Sequence, residues 1–321
     1  MAKQGGEAPL RVGIVGMGPV GSTLAAHLLE AGAFVVPCDI LREKIDAIKK
    51  SGIRLKNTIE KEVRVTDVCY SVGELVSYNL DLVSISVKTP YLGLVLTELF
   101  DVAPEDLFVM SAQNGIDNER DVARVFGEDR TLRMVINYAG SMIDVNTVNV
   151  GFFHPPNYLA PLAPKGERMA HQIVDLLNAV GLTTRITDAI QDHVWEKAIL
   201  NSALSPVCAI TGMTMQDVMD SSHGIRVVEA LLDESMGVAE VVGIRFPEEF
   251  RDSCIQYLKG GGPHRPSMLV DIDNGLPTEI DRLNGKIVEY GRKHGVPVPV
   301  NLTISRLIRL MEHSPQGGSH E

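Results

Sequence analysis

The sequence Arg-Val-Gly-Ile-Val-Gly-Met-Gly-Pro-Val-Gly, residues 11–21, decides the fold of the N-terminal half of the chain. Its first five residues predict a buried parallel strand, and the apolar pattern from Val20 to Ala31 predicts a helix that ends at Gly32. Residues 33–38 predict a second strand. The G-x-G-x-x-G turn therefore lies between a strand and a helix, the setting in which this otherwise weak motif becomes specific.

Each glycine of this turn has its own physical reason. Gly16 allows the tight turn, Gly18 lets the backbone approach a pyrophosphate, and Gly21 lets the helix pack closely on the strand. The N–H groups and positive dipole at the helix N-terminus favour phosphate there. We therefore expect a dinucleotide cofactor at this turn, with an ordinary glycine-rich turn as the weaker alternative. The turn residues expected to bind it are Gly16, Met17, Gly18, Pro19, Val20 and Gly21.

Asp39 indicates which dinucleotide is bound. It ends the second predicted strand, 18 residues beyond Gly21, near the spacing expected for the carboxylate that binds the adenosine ribose. Because a carboxylate there repels a 2′-phosphate, NAD(H) is favoured over NADP(H). Arg42 keeps NADP(H) as an alternative, since a guanidinium three residues further on is suited to phosphate.

The composition of the whole chain limits the classes of function. A formal net charge of −11 over 321 residues argues against a protein that binds nucleic acid or membrane surfaces. Four scattered cysteines without a C-x-x-C pair argue against a zinc site or a disulfide framework, so we expect no metal and a cytoplasmic location. Residues 1–10 lack the apolar core of a secretory signal and are expected to be disordered.

Strand and helix patterns alternate as far as about residue 187 and then give way to long helical patterns. We therefore predict an α/β fold in which residues 1–187 form a doubly wound, Rossmann-type dinucleotide-binding domain. Residues 188–321 are predicted to form an all-helical substrate and catalytic domain. The helices expected in it cover residues 189–204, 224–243, 247–259, 266–274, 278–294 and 299–312.

Two polar side chains follow predicted strands at their carboxyl ends, where open α/β sheets bind ligands. Lys88 follows the strand at residues 81–87, and Asn114 follows the strand at residues 107–112 within a Gln-Asn-Gly sequence. We expect both side chains to contact the cofactor. A solvated loop lysine and a plain Asn-Gly turn are the alternatives at these two positions.

The helix predicted at residues 189–204 carries polar side chains in line on an otherwise apolar pattern. Lys197, Asn201 and Ser205 follow one another at intervals of four, so they share one helix face. A partly desolvated lysine has a lowered pKa, which suits a general acid that protonates a carbonyl oxygen as hydride reaches the carbon. Asn201 is expected to bind the same oxygen or a substrate carboxylate. A polar pair on a helix surface is the alternative.

These features together resemble the ketopantoate reductase (2-dehydropantoate 2-reductase) family over nearly the whole chain. Each motif alone is modest evidence, but all of them in this order along one chain make a specific signal. The matching sequences are G-x-G-x-x-G at 16–21, Lys88, Q-N-G at 113–115, W-x-K-x-x-x-N at 195–201, S-M-L-x-D at 267–271, T-E-I-D-x-x-N-G at 278–285 and Gly-Val-Pro-Val-Pro-Val-Asn at 295–301.

The resemblance implies a reaction and roles for these residues. The reaction is NAD(P)H-dependent reduction of a 2-oxo acid, typically ketopantoate to pantoate in pantothenate biosynthesis. Lys197 would be the general acid, Glu279 would hold the substrate or orient Lys197, and Asn114 and Lys88 would line the cofactor and active-site cleft. The residues implied to hold the substrate are Asn114, Asn201, Ser205 and Ser267. The helical domain would resemble the C-terminal domain of 6-phosphogluconate dehydrogenase.

Two positions depart from the family pattern. Many members have an asparagine where this chain has Ser205, so a 2-oxo acid bulkier than ketopantoate is an alternative substrate. Many members also use NADPH, whereas Asp39 favours NAD(H). Two other functions stay open: a β-hydroxyacid dehydrogenase of the 6-phosphogluconate dehydrogenase type, and a non-catalytic dinucleotide sensor, which would have no use for the polar residues of the helical domain. A monomer and a homodimer are both open.

Overall fold

A computed structural model describes residues 8–313, which fall into two compact units. The first unit runs to Gln113 and continues over Asp117–Ile190, and the second comprises Asn114–Ile116 together with the chain from Gln191 onward. Of the tail expected to be disordered, residues 1–7 lie outside the described residues. No helix within residues 8–313 combines the length and the apolar character needed to cross a membrane.

The first unit is an α/β structure. Its strands are β1 (Arg11–Val15), β2 (Phe34–Cys38), β3 (Ile53–Asn57), β4 (Lys61–Val63), β5 (Leu82–Ile85), β6 (Phe108–Ser111), β7 (Thr131–Val135), β8 (Tyr138–Asp144), β9 (Thr147–Phe153), β10 (Asn157–Pro161) and β11 (Thr184–Ile186). Its helices are α1 (Pro19–Glu30), α2 (Arg42–Ser51), α3 (Leu92–Val102), α4 (Asn118–Phe126) and α5 (Glu167–Ala179).

A seven-stranded sheet forms the centre of this unit, with the strand order β11-β10-β7-β6-β5-β1-β2. The strands from β7 to β2 are parallel to one another, and β10 runs antiparallel to β7. From β1 the chain moves outward to β2 and later returns to the other side at β5. The carboxyl end of β1 is therefore a topological switch point, where sheets of this kind bind ligands. The predicted Rossmann-type sheet is confirmed.

Both faces of the large sheet are covered. Strand β1 directs Val12 and Ile14 into one apolar cluster, which includes residues of α1, α2 and α5, and directs Val15 into a second cluster with residues of α3 and α4. All three side chains are buried. This alternation is what a parallel strand buried on both faces requires, and it makes the unit doubly wound.

A separate four-stranded sheet has the order β4-β3-β9-β8. Its strand β3 pairs in antiparallel fashion with β4 and in parallel with β9, so residues near position 55 meet residues near position 148. This pairing joins segments that are distant in sequence, and no local pattern signals it.

The second unit is helical throughout its described residues, as predicted. The chain enters it along α6 (Ile190–Thr211), and the helices that follow are α7 (Met215–Asp220), α8 (Ser222–Val241), α9 (Phe250–Lys259), α10 (Ser267–Asp273), α11 (Asn284–His294) and α12 (Pro299–Glu312). Helix α7 was not predicted, and among the predicted helices the end of α6 and the start of α11 differ most from the structure. Helix α6 continues through Pro206 instead of ending at residue 204, and a short 3-10 turn at Ile280–Arg282 precedes α11.

Candidate active site

The glycine turn after β1 has the open space that a phosphate needs. Gly16 has φ +94°, and a Cβ atom there would lie 2.7 Å from the backbone nitrogen of Val87. A Cβ atom at Gly21 would lie 2.0 Å from the carbonyl oxygen of Gly16, which forces a glycine where α1 meets the turn. At Gly18 an added Cβ would have no atom within 4 Å. The backbone therefore faces open space at Gly18 alone of these three.

The first turn of α1 offers backbone donors to that space. Gly18 is the N-cap residue and has no side chain that could cap this end, and Pro19 begins the helix. Val20 accepts a hydrogen bond at its carbonyl oxygen from the buried Tyr138 hydroxyl, 3.1 Å away, which fixes the turn against β8. The uncapped helix end and the open space beside Gly18 fit the pyrophosphate of a dinucleotide.

Asp39 is held beside this turn by several donors. The backbone N–H of Met17 donates to Oδ2 over 2.8 Å, and that of Leu41 donates to Oδ1 over 3.0 Å. Lys44, on the first turn of α2, brings its Nζ atom to 3.5 Å from Oδ2. Sequence reasoning missed Lys44, although its position early in the helix after Asp39 was readable. The carboxylate predicted to bind ribose is thus oriented toward the turn, with a cation next to it.

Arg42, the residue that kept NADP(H) open, contacts an aromatic ring. Its guanidinium carbon lies 5.0 Å from the centre of the Tyr70 ring, a cation–π arrangement. The Tyr70 hydroxyl in turn donates to Asp46 over 2.8 Å. The Arg42 guanidinium therefore packs on the Tyr70 ring, and Lys44 is the cation that contacts Asp39.

Lys88 follows β5 and begins a short 3-10 turn at Thr89–Tyr91. Its position is fixed through Gln113, whose Nε2 atom donates to the carbonyl oxygen of Val87 over 2.8 Å. Gln113 itself is buried at the end of β6. In the Gln-Asn-Gly segment, sequence reasoning singled out only Asn114 as a site residue. It missed the hydrogen bond that Gln113 makes to Val87.

A buried ion pair is connected to Gln113 through the hydroxyl group of Ser111. The Nε atom of Arg133 lies 3.5 Å from Oε2 of Glu119, and the two side chains are 2% and 0% exposed. An Nη1 atom of Arg133 donates to the Ser111 hydroxyl over 2.9 Å, and that hydroxyl donates to Oε1 of Gln113 over 3.4 Å. This network connects the sheet interior to the turn that carries Lys88.

A pocket in the second unit brings together all four residues predicted to bind substrate, and Glu279 with them. Its lining residues are Asn114, Asn201, Ser205, Ser267, Met268, Asp271, Glu279 and Leu283. Five of the eight are predicted site residues that come from four separate parts of the chain. Sequence reasoning missed the other three as site residues. Asp271 had a signal, because it follows Ser267 by four positions and so shares its face of α10.

Asn114 and Glu279 lie together in this pocket. The segment at Asn114–Ile116 belongs to the second unit, where the N–H of Ile116 donates to the carbonyl oxygen of Arg282 over 2.9 Å. Gly115, with φ +97°, allows the approach, since a Cβ there would lie 2.6 Å from Cβ of Arg282. The Asn114 amide then donates to Oε2 of Glu279 over 3.4 Å. A carboxylate and an amide therefore face the same pocket.

Glu279 is held in place by its neighbours. The N–H of Thr278 donates to Oε1 of Glu312, at the end of α12, over 2.7 Å. The hydroxyl of Thr278 accepts from the N–H of Ile280 over 3.2 Å. With only 7% of its surface exposed, Glu279 has little freedom to leave the pocket.

Lys197 lies on α6 one turn before Asn201 and is half-buried. Trp195 anchors this part of the helix, because its ring packs edge-on against that of Tyr290 in α11, with centroids 5.5 Å apart. Lys197 is not among the residues that line the pocket, so its role as a general acid stays a prediction.

Comparison with known sequences decides the family. The sequence model of the ketopantoate reductase PanE/ApbA family matches residues 12–152, and the model of its C-terminal part matches residues 189–312. The chain belongs to the ketopantoate reductase family. The predicted resemblance is therefore confirmed, and with it the class of enzyme, an oxidoreductase that acts on a CH–OH group and uses NAD(P)H.

Individual relatives agree with this family. A 2-dehydropantoate 2-reductase of Aquifex aeolicus is 27% identical over 93% of this chain and 96% of the relative. The crystal structure of a PanE/ApbA family ketopantoate reductase from Ralstonia eutropha superposes with a TM-score of 0.85 at 24% identity, over 94% of this chain and 98% of that one. A D-mandelate dehydrogenase solved with NADH and anilino(oxo)acetate gives 0.83 at 24% identity, over the same shares. At these identities the two structures bear on the fold.

Proposed function

We propose that this chain reduces a 2-oxo acid to the 2-hydroxy acid with NAD(P)H, as its family membership suggests. The observation that supports this most directly is the pocket of the second unit, in which two amides, two hydroxyls and Glu279 converge. A 2-oxo acid offers a carboxylate and a carbonyl oxygen, both of which accept hydrogen bonds. Amide and hydroxyl groups supply donors for them, whereas a sensor that only bound a dinucleotide would not need this set.

Each group has a proposed part in the reaction. A bound reduced nicotinamide supplies the hydride that adds to the carbonyl carbon. Lys197 gives its proton to the carbonyl oxygen as negative charge develops there. Asn201 donates a hydrogen bond to that oxygen or to the substrate carboxylate, and Ser267 binds the carboxylate. Glu279, which accepts a hydrogen bond from the Asn114 amide, holds the donors of the pocket in place and orients Lys197.

The cofactor is proposed to lie along the glycine turn, with the pyrophosphate at the N-terminus of α1 and the adenosine ribose at Asp39. Lys88 is proposed to contact the cofactor from its turn after β5. NAD(H) is the preferred cofactor in this proposal because Asp39 is fixed next to the turn by Met17. Lys44 makes NADP(H) the alternative cofactor for the same site. Its ammonium group lies beside Asp39 and is suited to bind a 2′-phosphate there.

The substrate is proposed to be ketopantoate or a bulkier 2-oxo acid. Ser205 is shorter than the asparagine that many relatives have, and Met268 and Leu283 give the pocket two apolar sides. A branched or aromatic side chain on the oxo acid would bury apolar surface against them. The D-mandelate dehydrogenase with the same fold was solved with NADH and anilino(oxo)acetate, which supports including aromatic substrates.

A cofactor oxidation screen tests this proposal. Purified protein is mixed with NADH or NADPH and either ketopantoate or a series of 2-oxo acids of increasing side-chain size, and loss of absorbance at the reduced cofactor's band is followed. Turnover with at least one 2-oxo acid, reduced by roughly 10²- to 10⁴-fold in the Lys197→Ala variant, is the expected result. Activity on 3-hydroxy acids alone would favour a β-hydroxyacid dehydrogenase. Cofactor binding without turnover on any substrate would favour a sensor. Assembly into a homodimer and a cytoplasmic location stay predictions.

A further inference from the structure

A proline lies inside the helix that carries the proposed general acid. Pro206 is within α6, one position after Ser205, and a proline has no N–H to donate. In a regular helix the donor at position 206 would pair with the carbonyl oxygen of Ser202. That carbonyl is buried, and a buried carbonyl without a donor destabilises the fold. Its donor must therefore come from outside α6.

Asn284, the first residue of α11, supplies that donor. Its Nδ2 atom donates to the carbonyl oxygen of Ser202 over 3.0 Å, and also to Oδ1 of Asn301 over 3.0 Å. Asn284 and Asn301 are both fully buried. Since Nδ2 has two hydrogens and each faces an acceptor, the orientation of the Asn284 amide is fixed by its neighbours.

Asn301 is fixed in the same way. Its Nδ2 atom donates to Oε2 of Glu234 over 2.9 Å, and its backbone N–H donates to the same oxygen over 2.8 Å. The other oxygen of Glu234 accepts from the N–H of Val300 over 2.8 Å. Glu234 thus caps the N-terminus of α12, where a carboxylate is also favoured by the helix dipole. A connected series of hydrogen bonds runs from the half-buried Glu234 through the buried Asn301 and Asn284 to Ser202.

The end of this series lies at the pocket. Asn201 precedes Ser202, Ser205 lies one turn beyond, and both line the pocket together with Leu283, the neighbour of Asn284. The direction in which Asn201 and Ser205 point depends on how this turn of α6 is closed. With the helical bond missing, the turn takes its geometry from Asn284.

We propose that Asn284 is a positioning residue, which replaces the hydrogen bond that Pro206 cannot make and so sets the geometry of Asn201 and Ser205 in the pocket. This inference rests on the proposed function, because it assigns Asn284 to the binding of the 2-oxo acid. Asn284 does not touch the substrate in this proposal. It acts through the Ser202 carbonyl, and Asn301 and Glu234 keep its amide in the required orientation.

Four proteins test the proposal as a double-mutant cycle: wild type, Asn284→Ala, Pro206→Ala and the double variant. Asn284→Ala leaves the Ser202 carbonyl without a donor, and we expect kcat/KM for the 2-oxo acid to fall about 10- to 100-fold, the cost of slight misplacement. The KM for NADH should stay within about twofold, because the affected turn belongs to the second unit and the glycine turn to the first. Pro206→Ala restores an N–H at position 206, so the double variant should regain most of the lost kcat/KM.

The decisive outcome is this rescue. A purely structural role for Asn284 would lower the melting temperature of the single variant without a selective change in kcat/KM for the oxo acid, and that result would overturn the proposal. A kinetic loss that the double variant does not recover would overturn it as well, since the effect would then not pass through Ser202. If Asn284→Ala does not fold, the double variant decides, because the proposal requires it to fold and turn over.

Two controls separate this inference from the proposed function. Asn274→Ala removes a similar amide-to-carbonyl bond, to Val270 over 2.7 Å, at an exposed residue just after α10, and it should leave kinetics and melting temperature unchanged. Wild-type turnover tests the proposed function by itself. If wild type has none, the cycle is read in melting temperatures, and the absence of coupling between positions 206 and 284 there would still overturn the inference.

Discussion

The carboxylate of Asp39 accepts a hydrogen bond of 2.8 Å from the backbone N–H of Met17. This bond ties the end of β2 to the middle of the glycine turn that follows β1. Because Lys44 lies 3.5 Å from the same oxygen, the charge of the carboxylate is partly balanced on one side. Asp39 and Lys44, of opposite charge, thus lie side by side at the proposed ribose position. Asp39 favours NAD(H) there, and Lys44 favours NADP(H).

The first prediction concerns this pair. Wild type should have a higher kcat/KM with NADH than with NADPH, because Asp39 repels a 2′-phosphate. In Asp39→Ala the repulsion is gone and Lys44 is released, so the NADH-to-NADPH ratio should fall by about tenfold or more, a change of roughly 1.4 kcal/mol or more in relative transition-state binding. Lys44→Ala should change the ratio in the other direction. Initial rates with both cofactors measure it.

Asp46→Ala is the matched control, since it removes a nearby carboxylate, on α2, that accepts a hydrogen bond from Tyr70 and makes none with the glycine turn. It should leave the cofactor ratio unchanged. A wild type that prefers NADPH would mean that the cations of α2 outweigh Asp39, and the preference for NAD(H) would then be wrong.

The second prediction separates two glycines of the turn. Gly18→Ala places its methyl group in open space, so the free energy of unfolding should change by no more than about 0.5 kcal/mol, while the KM for NADH rises because the methyl occupies the proposed pyrophosphate position. Gly21→Ala places a methyl 2.0 Å from a carbonyl oxygen and should destabilise the fold by about 1–3 kcal/mol or more. Urea unfolding and NADH kinetics on both variants make the comparison. Equal loss of stability in the two would contradict the assignment of the open space to Gly18.

Strongly periodic segments of the fold could be predicted from the sequence, and long-range pairings could not. The bounds of β1 agree with the prediction because a buried strand ending in a glycine turn leaves a local signal. The parallel pairing of β3 with β9 leaves none, since each strand has only its own pattern. The predicted end of α6, at residue 204, was wrong for a similar reason. A proline is a fair stop signal, but here a residue 78 positions later replaces its missing hydrogen bond.

The candidate site divides in the same way. Asn114, Asn201 and Glu279 were found because their types and order match a family, although nothing local predicts that they share a pocket. Residues that act through contacts alone were missed. Lys44 and Gln113 look like an ordinary helix lysine and a loop glutamine until the structure shows what they bind.

The third prediction concerns pH and stability. Burial lowers the pKa of His27 to about 4, and its Nδ1 atom lies 2.7 Å from the carbonyl oxygen of Thr23. In the unfolded chain His27 binds a proton below about pH 6.5, whereas in the folded chain it stays neutral down to about pH 4. The free energy of unfolding therefore decreases as the pH falls through this range. The loss at His27 should reach about 2 kcal/mol by pH 5. Urea unfolding at pH 7 and pH 5 measures it.

His27→Gln keeps a donor for the Thr23 carbonyl and removes the titration, so its stability should depend less on pH by that amount. The control is His171→Gln, which changes an exposed histidine. An unchanged pH dependence in His27→Gln would mean that other groups carry the acid sensitivity.

The fourth prediction concerns the chemical step. Lys197→Ala should lower kcat by roughly 10²- to 10⁴-fold, the range of a lost general acid, with little change in the KM for NADH. Glu279→Gln keeps the size of a side chain that is 7% exposed and removes its charge. Because the charge of Glu279 is proposed to orient Lys197, kcat should fall while binding of the oxo acid is largely kept. Glu196→Gln changes an exposed carboxylate next to Lys197 and should leave kcat unchanged. Near-full turnover of Lys197→Ala with the best 2-oxo acid would remove Lys197 from the general-acid role, and the proton would then have to come from another group of the pocket or from water.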